Sequence, residues 1–286
     1  MFPFRKILFP VDYSPPCEAV VPYVKDMLHR FSADLTLVHA YGAEALAYSQ
    51  LALDDPDLPA EAKAHEEHRL REFALETFPG QHVETFAELG EAGSAIDRII
   101  ERQTTDLVML PTHGRGPVRR FLLGSVAAKV LHDVCAAVWT CAGAALNAHP
   151  PQLPYQSILC ALNDSDEADV VLKAAAAFAA MYKAQLRIVR IVETPATALD
   201  VDFGPYKKDL LDAADVKIRE LKGQLELNVP HSVVDARVAG GVRAEAILRK
   251  ADLIIAGRGR AQDMFERMWS HLYPIVREAP CPVLSV

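Results

Sequence analysis

Short apolar runs alternate along this chain with longer stretches in which apolar residues recur every three or four positions. Lys6–Asp12 (KILFPVD) is a compact apolar run with a turn signal behind it, the pattern of a buried parallel strand. Ser14-Pro15-Pro16 then offers an N-cap and prolines for a first helical turn, and a helix is predicted to Arg30, with Val20, Val21, Val24, Met27 and Leu28 on one side. Leu35–Ala40 (LTLVHA) reads as a second strand, Pro59–Phe78 as a long helix stopped by Pro79-Gly80, and His82–Leu89 (HVETFAEL) as a third strand. Ser94–Arg102 reads as a helix and Asp106–Leu110 (DLVML) as a fourth strand. A loop over Pro111–Arg120, a helix over Leu122–Asp133 and a fifth strand over Ala136–Thr140 (AAVWT) complete the set. Strands alternating with helices of this length predict βαβ units and a parallel sheet, an α/β fold.

The same order then returns. Lys6–Ser14 reappears as Ser157–Ser165, Ala33–Ala40 as Ala184–Ile191, and Gly90 with Ile96 as Gly241 with Ile247, each at an offset of 151 residues. A constant offset over separated segments predicts two tandem domains, 1–143 and 155–286, with a linker over 144–154 inside the low-charge Ala-, Gly- and Pro-containing stretch Ala142–Pro154. The second copy carries strands at SILCAL, QLRIVRI, HSVVDARV, DLIIAG and CPVLSV. Ile96 lies ten residues before Asp106 but Ile247 only five before Asp252, so the third helix of the second copy is expected to lose more than a turn, and the loop after its fourth strand is one residue shorter.

Bulk composition narrows the function. The 286 residues carry a formal net charge of −8, which argues against a nucleic-acid or anionic-membrane binder. Five scattered cysteines without a CxxC read as free thiols of a reducing compartment. With no signal peptide and no apolar run of membrane-spanning length, the expectation is a soluble cytoplasmic protein.

The segment with most chemistry is LVMLPTHGRGPVRRFLLGSVAAKV. An apolar strand ends at Leu110, a Gly-containing loop follows, and a helix begins around Gly124-Ser125-Val126. Glycine lets a backbone approach an anion closely, the first N–H groups of a helix point at it, and Ser125 adds a hydroxyl donor. Arg115, Arg119 and Arg120 lie on the same stretch and suit phosphate. Asp12 ends strand one, and Val38-His39 ends strand two. In an open α/β sheet these ends line the ligand crevice, where an aspartate suits a ribose hydroxyl.

These residues resemble the universal stress protein family over nearly all of both halves. Pro10-Val11-Asp12 matches the family's opening strand. Pro111-Thr112-His113-Gly114, nine residues and Gly124-Ser125 match the Gly-x-x-Gly, nine residues, Gly-Ser/Thr pattern of its ATP-binding members, with Pro111 in place of the first glycine. The ending Ala279–Val286 is also similar. The resemblance implies two doubly wound domains, each a five-stranded parallel sheet of order 3-2-1-4-5 with helices on both faces, and association of domains through their fifth strands. It implies that the first half binds ATP or a related adenine nucleotide, with or without Mg²⁺, at Pro10, Val11, Asp12, Val38, Pro111, Gly114, Arg115, Gly124, Ser125 and Val126, and that stress response is its role. Asp12 would contact the nucleoside, the Val38 backbone would line the adenine pocket, and the glycines with Ser125 and Val126 would hold phosphates. Proline at 111 removes one N–H donor.

The second copy departs from the pattern. Asn163 stands for Asp12, Arg260 falls near the second loop glycine, and Trp269 occupies the place of Gly124, where an indole would fill the space a phosphate needs. No nucleotide is expected there, and the two halves are expected to form an intrachain pseudo-dimer through Ala137–Thr140 and Pro282–Val286. Other readings stand beside this one. A nucleotide-independent protein-interaction scaffold fits a lost site, and homo-oligomers or protein partners fit either reading. A slow ATPase would need a general base with a neighbour or a Gly-Lys-Ser/Thr loop, and neither is present. A hydrolytic Asp12–His39–Ser125 set lacks a Gly-x-Ser-x-Gly elbow, so no catalytic residues are assigned. Glu61, His65 and His68 sit at helical spacing but read as a solvated face, and no metal site is expected.

Overall fold

Strand β1 (Lys6–Pro10) forms where the pattern predicts, with its three central residues buried. Helix α1 (Pro15–Phe31) follows, capped by Ser14, whose Oγ accepts from the Cys17 N–H, and closed by Ser32 in the left-handed region. The computed structural model describes residues 2–42, 58–114, 123–142, 153–194, 204–258 and 272–286. The chain divides into two compact units, Pro3–Gly143 and Ala144–Val286.

In the first unit β2 (Asp34–Tyr41), α2 (Leu58–Thr77), β3 (Val83–Leu89), α3 (Ala92–Gln103), β4 (Leu107–Pro111), α4 (Ser125–Asp133) and β5 (Ala137–Cys141) complete a parallel sheet of order β3-β2-β1-β4-β5. The second unit contains β6 (Ser157–Leu162), α5 (Ala168–Tyr182), β7 (Gln185–Val192), α6 (Gly204–Gln224), β8 (His231–Asp235), α7 (Val238–Leu248), β9 (Leu253–Ala256), a helical segment over 272–278 and β10 (Val283–Ser285). Its order, β8-β7-β6-β9-β10, repeats that of the first. Each unit is therefore the doubly wound α/β domain of order 3-2-1-4-5. The reversal of strand order falls between the first and fourth strands, where a crevice opens at their carboxyl ends.

Both sheets are pinned at the opposite end by one device. Asp106 accepts from the N–H groups of Arg5 (2.8 Å) and Lys6 (3.0 Å), and Asp252 from those of Gln156 (2.7 Å) and Ser157 (3.1 Å). The carboxylate before the fourth strand thus satisfies the backbone entering the first. Burial pushes the Asp252 carboxyl above its ordinary value, against the lowering effect of those N–H groups.

Three elements differ from the sequence expectation. Helix α3 begins at Ala92, because the Glu91 side chain caps it through the Gly93 (2.9 Å) and Ser94 (2.8 Å) N–H groups. Helix α4 begins at Ser125 rather than Leu122, with Gly124 as its N-cap. Helix α7, expected to be short, has 11 residues against 12 in α3. The reason is the register. Lys6 pairs with Asp34 as Ser157 pairs with Gln185, an offset of 151, but Tyr41 faces Leu89 whereas Val192 faces Asp235, an offset of 146 in the third strand. The five missing residues therefore precede β8. Gly241 lies inside α7, where a Cβ would strike Ile191, and is not the counterpart of Gly90, which ends β3 at φ +121. The linker residues 144–152, the loop residues Arg115, Arg119, Arg120 and Leu122, and Gly259, Arg260, Trp269 and Ser270 lie outside the described residues.

Candidate functional site

At the carboxyl ends of β1, β2 and β4 the first unit holds a cavity of about 670 Å³, closed on two sides by the starts of α3 and α4. Nine of the ten candidate residues line it: Pro10, Val11, Asp12, Val38, Pro111, Gly114, Gly124, Ser125 and Val126. They come from four separated stretches of chain. Arg115 lies outside the described residues.

Asp12 enters the cavity from the turn after β1. Its Oδ1 accepts from both the N–H (3.0 Å) and the hydroxyl (2.6 Å) of Ser14, so one helix-capping serine also fixes the carboxylate. On the floor, the Val11 N–H donates to the Val38 carbonyl (2.8 Å), which extends the β1–β2 ladder past its last register pair, Pro10 with Val38. Successive residues of a strand turn their backbone groups to opposite neighbours. The Tyr41 carbonyl accepts from Gly90 on the β3 side (2.9 Å), so Ala40, like Val38, turns its N–H and C=O toward β1, beyond the end of that strand. Ala40 lines the cavity and was missed in the sequence, since a backbone contact leaves no side-chain signature.

Thr112 N–H donates to Cys141 on the β5 side (3.0 Å), so the nitrogen of Pro111 faces the β1 side, beyond the last β1–β4 register pair, Leu8 with Val108. The Gly124 N–H donates to the Thr112 carbonyl (2.8 Å), bringing the start of α4 against the end of β4. A Cβ on Gly124 would stand 2.9 Å from that carbonyl, so glycine is required for the approach. The first-turn N–H groups of Ser125, Val126 and Ala127 have no partner within the helix by the geometry of any helix start, and their dipole favours an anion.

The two helix starts differ. At α3 a carboxylate already occupies the position an anion would take. Burial pushes the Glu91 carboxyl up, but the N–H groups of Gly93 and Ser94, the Ser94 hydroxyl and the Lys129 charge outweigh it and hold it below its ordinary value. Lys129 pairs with Asp97 (3.1 Å) and with Asp133. The α4 end of the cavity carries no such carboxylate cap, and the α3 wall offers Ala92 and Ile96 to an apolar group.

His39 also lines the cavity. It is buried, and its Nδ1 donates to the Val11 carbonyl (2.6 Å), which leaves it a structural role beside Asp12. Ser125 is exposed, at the opposite wall. His65 and His68 lie on the exposed face of α2, with His68 Nε2 3.2 Å from Glu72. Among the described residues no group of three or more His, Cys, Asp or Glu is placed to hold a metal ion, and no helix is long and apolar enough to cross a membrane.

The second unit keeps one side-chain bond of the Asp12 turn but changes its backbone and the side chains around it. Ser165 Oγ donates to Asn163 Oδ1 (2.7 Å), the counterpart of the Ser14–Asp12 bond. At the place of His39 stands Arg190, bound to Asp164 (3.1 Å), which Lys217 also holds (2.8 Å). The hydrogen bonds of Arg190 and Lys217 hold the Asp164 carboxyl below its ordinary value.

Comparison with known proteins agrees with the repeat. Among curated proteins none matches the chain. Solved structures match over its full length: a universal stress protein from Archaeoglobus fulgidus at 19% identity and TM-score 0.73, covering 99% of this chain and 98% of that one, and a putative universal stress protein from Pseudomonas aeruginosa at 14% identity and TM-score 0.66, covering 99% and 93%. At these identities the likeness is one of fold. The sequence model of the universal stress protein family matches twice, at residues 3–141 and 154–286. With both halves matched almost end to end, the chain belongs to the universal stress protein family as a tandem member.

Proposed function

We propose that the first unit binds ATP or a related adenine nucleotide and that the second is a unit of the same fold without a nucleotide site. The observation that carries this reading is the convergence of nine candidate residues on one cavity whose ends differ in chemistry. At the β2 end the walls are apolar and the backbone of Ala40, beside Val38, offers a donor and an acceptor to a base edge. Asp12, fixed by Ser14, takes the ribose hydroxyls. The start of α4, with Gly124 against Thr112 and Ser125 at the first helical position, takes phosphate. The Glu91 cap sets the direction, since phosphate at α3 would meet a carboxylate.

Asn163, and Arg190 in its ion pair with Asp164, favour a second unit that does not take the nucleoside in this way. On this reading the chain is an intrachain pseudo-dimer with one binding member, and its stress-response role is that of a nucleotide-responsive module rather than an enzyme. Mass spectrometry of small molecules released from denatured protein, with calorimetric titration by ATP with and without Mg²⁺, tests it. About one adenine nucleotide per chain is expected. Two per chain would overturn the assignment of the second unit, and no nucleotide with no heat on titration would overturn the site itself.

A further inference from the structure

Next to Asp12 the backbone adopts a conformation that a tyrosine rarely takes. Tyr13 has φ +56, in the left-handed region that favours glycine, asparagine or aspartate. Such a residue persists only where its surroundings hold it. Here three side chains do so. The His39 ring lies 4.8 Å from the Tyr13 ring, the Phe73 ring meets it edge-on at 5.6 Å, and the Arg69 guanidinium stacks over it at 3.9 Å. Arg69 and Phe73 belong to α2, and His39 to β2. The box therefore anchors the turn after β1 to two other elements of the unit.

The turn has one product that matters to the cavity. Tyr13 sits between Asp12 and Ser14, and its left-handed conformation adds the Ser14 N–H to the hydroxyl on Asp12 Oδ1, whereas in the second unit Ser165 reaches Asn163 through its hydroxyl with no left-handed residue between them. Without it, Ser14 could still cap α1 through the Cys17 N–H (3.3 Å), but Asp12 Oδ1 would lose the backbone N–H that fixes its direction together with the hydroxyl. In the second unit Asp164 stands in place of Tyr13 without the left-handed conformation, and it pairs with Arg190 and Lys217 instead of entering an aromatic box.

We propose that Tyr13 is a positioning residue for Asp12. Its box of His39, Arg69 and Phe73 holds the left-handed turn that aims the carboxylate into the cavity, and so sets how strongly the site distinguishes ribose from dideoxyribose. The inference rests on the nucleotide reading above and is chosen to fail separately from it.

The test compares binding of ATP and 2′,3′-dideoxy-ATP by calorimetry to the full chain and to Tyr13→Phe, Tyr13→Asn and Tyr13→Val. Wild type should prefer ATP by about tenfold or more, the worth of hydrogen bonds to a charged acceptor. Tyr13→Phe keeps the ring and should keep that ratio. Tyr13→Asn accepts the left-handed backbone and so should fold, yet it lacks the ring, and Tyr13→Val loses both. In these two the ratio should fall toward one, through weaker ATP binding with dideoxy-ATP binding unchanged. A general structural defect would weaken both nucleotides equally and would overturn the proposal, as would a wild-type ratio in a folded Tyr13→Asn. Wild-type protein that binds both nucleotides equally would overturn the ribose role of Asp12, and this inference with it.

Discussion

Asp12 and Gly114 fit together only because Gly114 has no side chain: a Cβ there would overlap Asp12 Oδ2 and stand 3.4 Å from its Cγ. A small side chain at 114 cannot be accommodated by a slight shift of Asp12, since Oδ1 is already tied to Ser14. Gly114→Ala should therefore rotate the carboxylate out of its place while leaving the fold intact. The expected outcome is a loss of ATP affinity of about tenfold with a melting temperature near that of wild type. Calorimetry and a thermal melt check it, and unchanged affinity would remove Asp12 from the site.

Gly124 faces backbone rather than a side chain. A Cβ 2.9 Å from the Thr112 carbonyl can be relieved only by moving the start of α4 away from the end of β4. Overpacking of this kind costs about 1–3 kcal/mol, so Gly124→Ala should lower the melting temperature by a few degrees. It should also weaken phosphate-dependent binding, so that ATP loses more affinity than adenosine. Equal losses for both ligands would place phosphate elsewhere.

Much of this arrangement was legible in the sequence, and each exception has its own physical cause. Buried strands announce themselves by composition, so β1, β2 and β4 stand where apolar runs predict them. The glycines at 114 and 124 were legible because their spacing matches a family pattern. What failed was inference across a gap: Gly241 matched Gly90 by offset alone, while strand register shows that the five-residue deletion precedes β8. Glu91 escaped notice because glutamate is not among the usual N-cap residues, although its longer side chain reaches two N–H groups. Tyr13 escaped because a left-handed tyrosine has no local sequence signal, its conformation being imposed by side chains from α2 and β2.

The Glu91 cap makes stability depend on pH. Its folded-state carboxyl lies below the ordinary value of 4.5, so its contribution is present above that value and is lost as pH falls through the lower, folded one. Glu91→Gln, which keeps shape but not charge, should cost about 0.5–1 kcal/mol near neutrality. The gap between wild type and variant should close in acid. Thermal melts from neutral pH to about pH 3 read this, and a gap that stayed constant would mean that charge plays no part in the cap.

Thiol reactivity should be confined to one position. Of the five cysteines, Cys17, Cys141, Cys160 and Cys281 are buried and Cys135 is exposed. Burial pushes the Cys17 and Cys160 thiols up to about 12, and raises that of Cys141 as well. At mildly alkaline pH these groups stay protonated and shielded, and the thiolate is the reactive form. Native protein should therefore release one equivalent of thionitrobenzoate rapidly from Ellman's reagent, and five after unfolding. Replacement of Cys135 by Ser should abolish the rapid phase, and a second rapid thiol in that variant would mean that one of the buried cysteines is accessible.

Pro111 offers a gain-of-binding experiment. The Thr112 N–H donates to Cys141 on the β5 side, so the nitrogen at 111 faces the cavity between β1 and β4. The β1–β4 register ends at Leu8 with Val108, and the crevice floor has no donor at 111. Pro111→Ala restores an N–H at this point without adding bulk. If an anionic or acceptor group of the ligand passes over the floor at β4, that donor should tighten ATP binding by up to about tenfold. The relaxed unfolded chain should lower stability by less than about 1 kcal/mol. Affinity that rises while the melting temperature falls would identify 111 as the position where this chain has traded a ligand contact for a stiffer backbone. Affinity that falls would show instead that the pyrrolidine ring itself packs against the ligand.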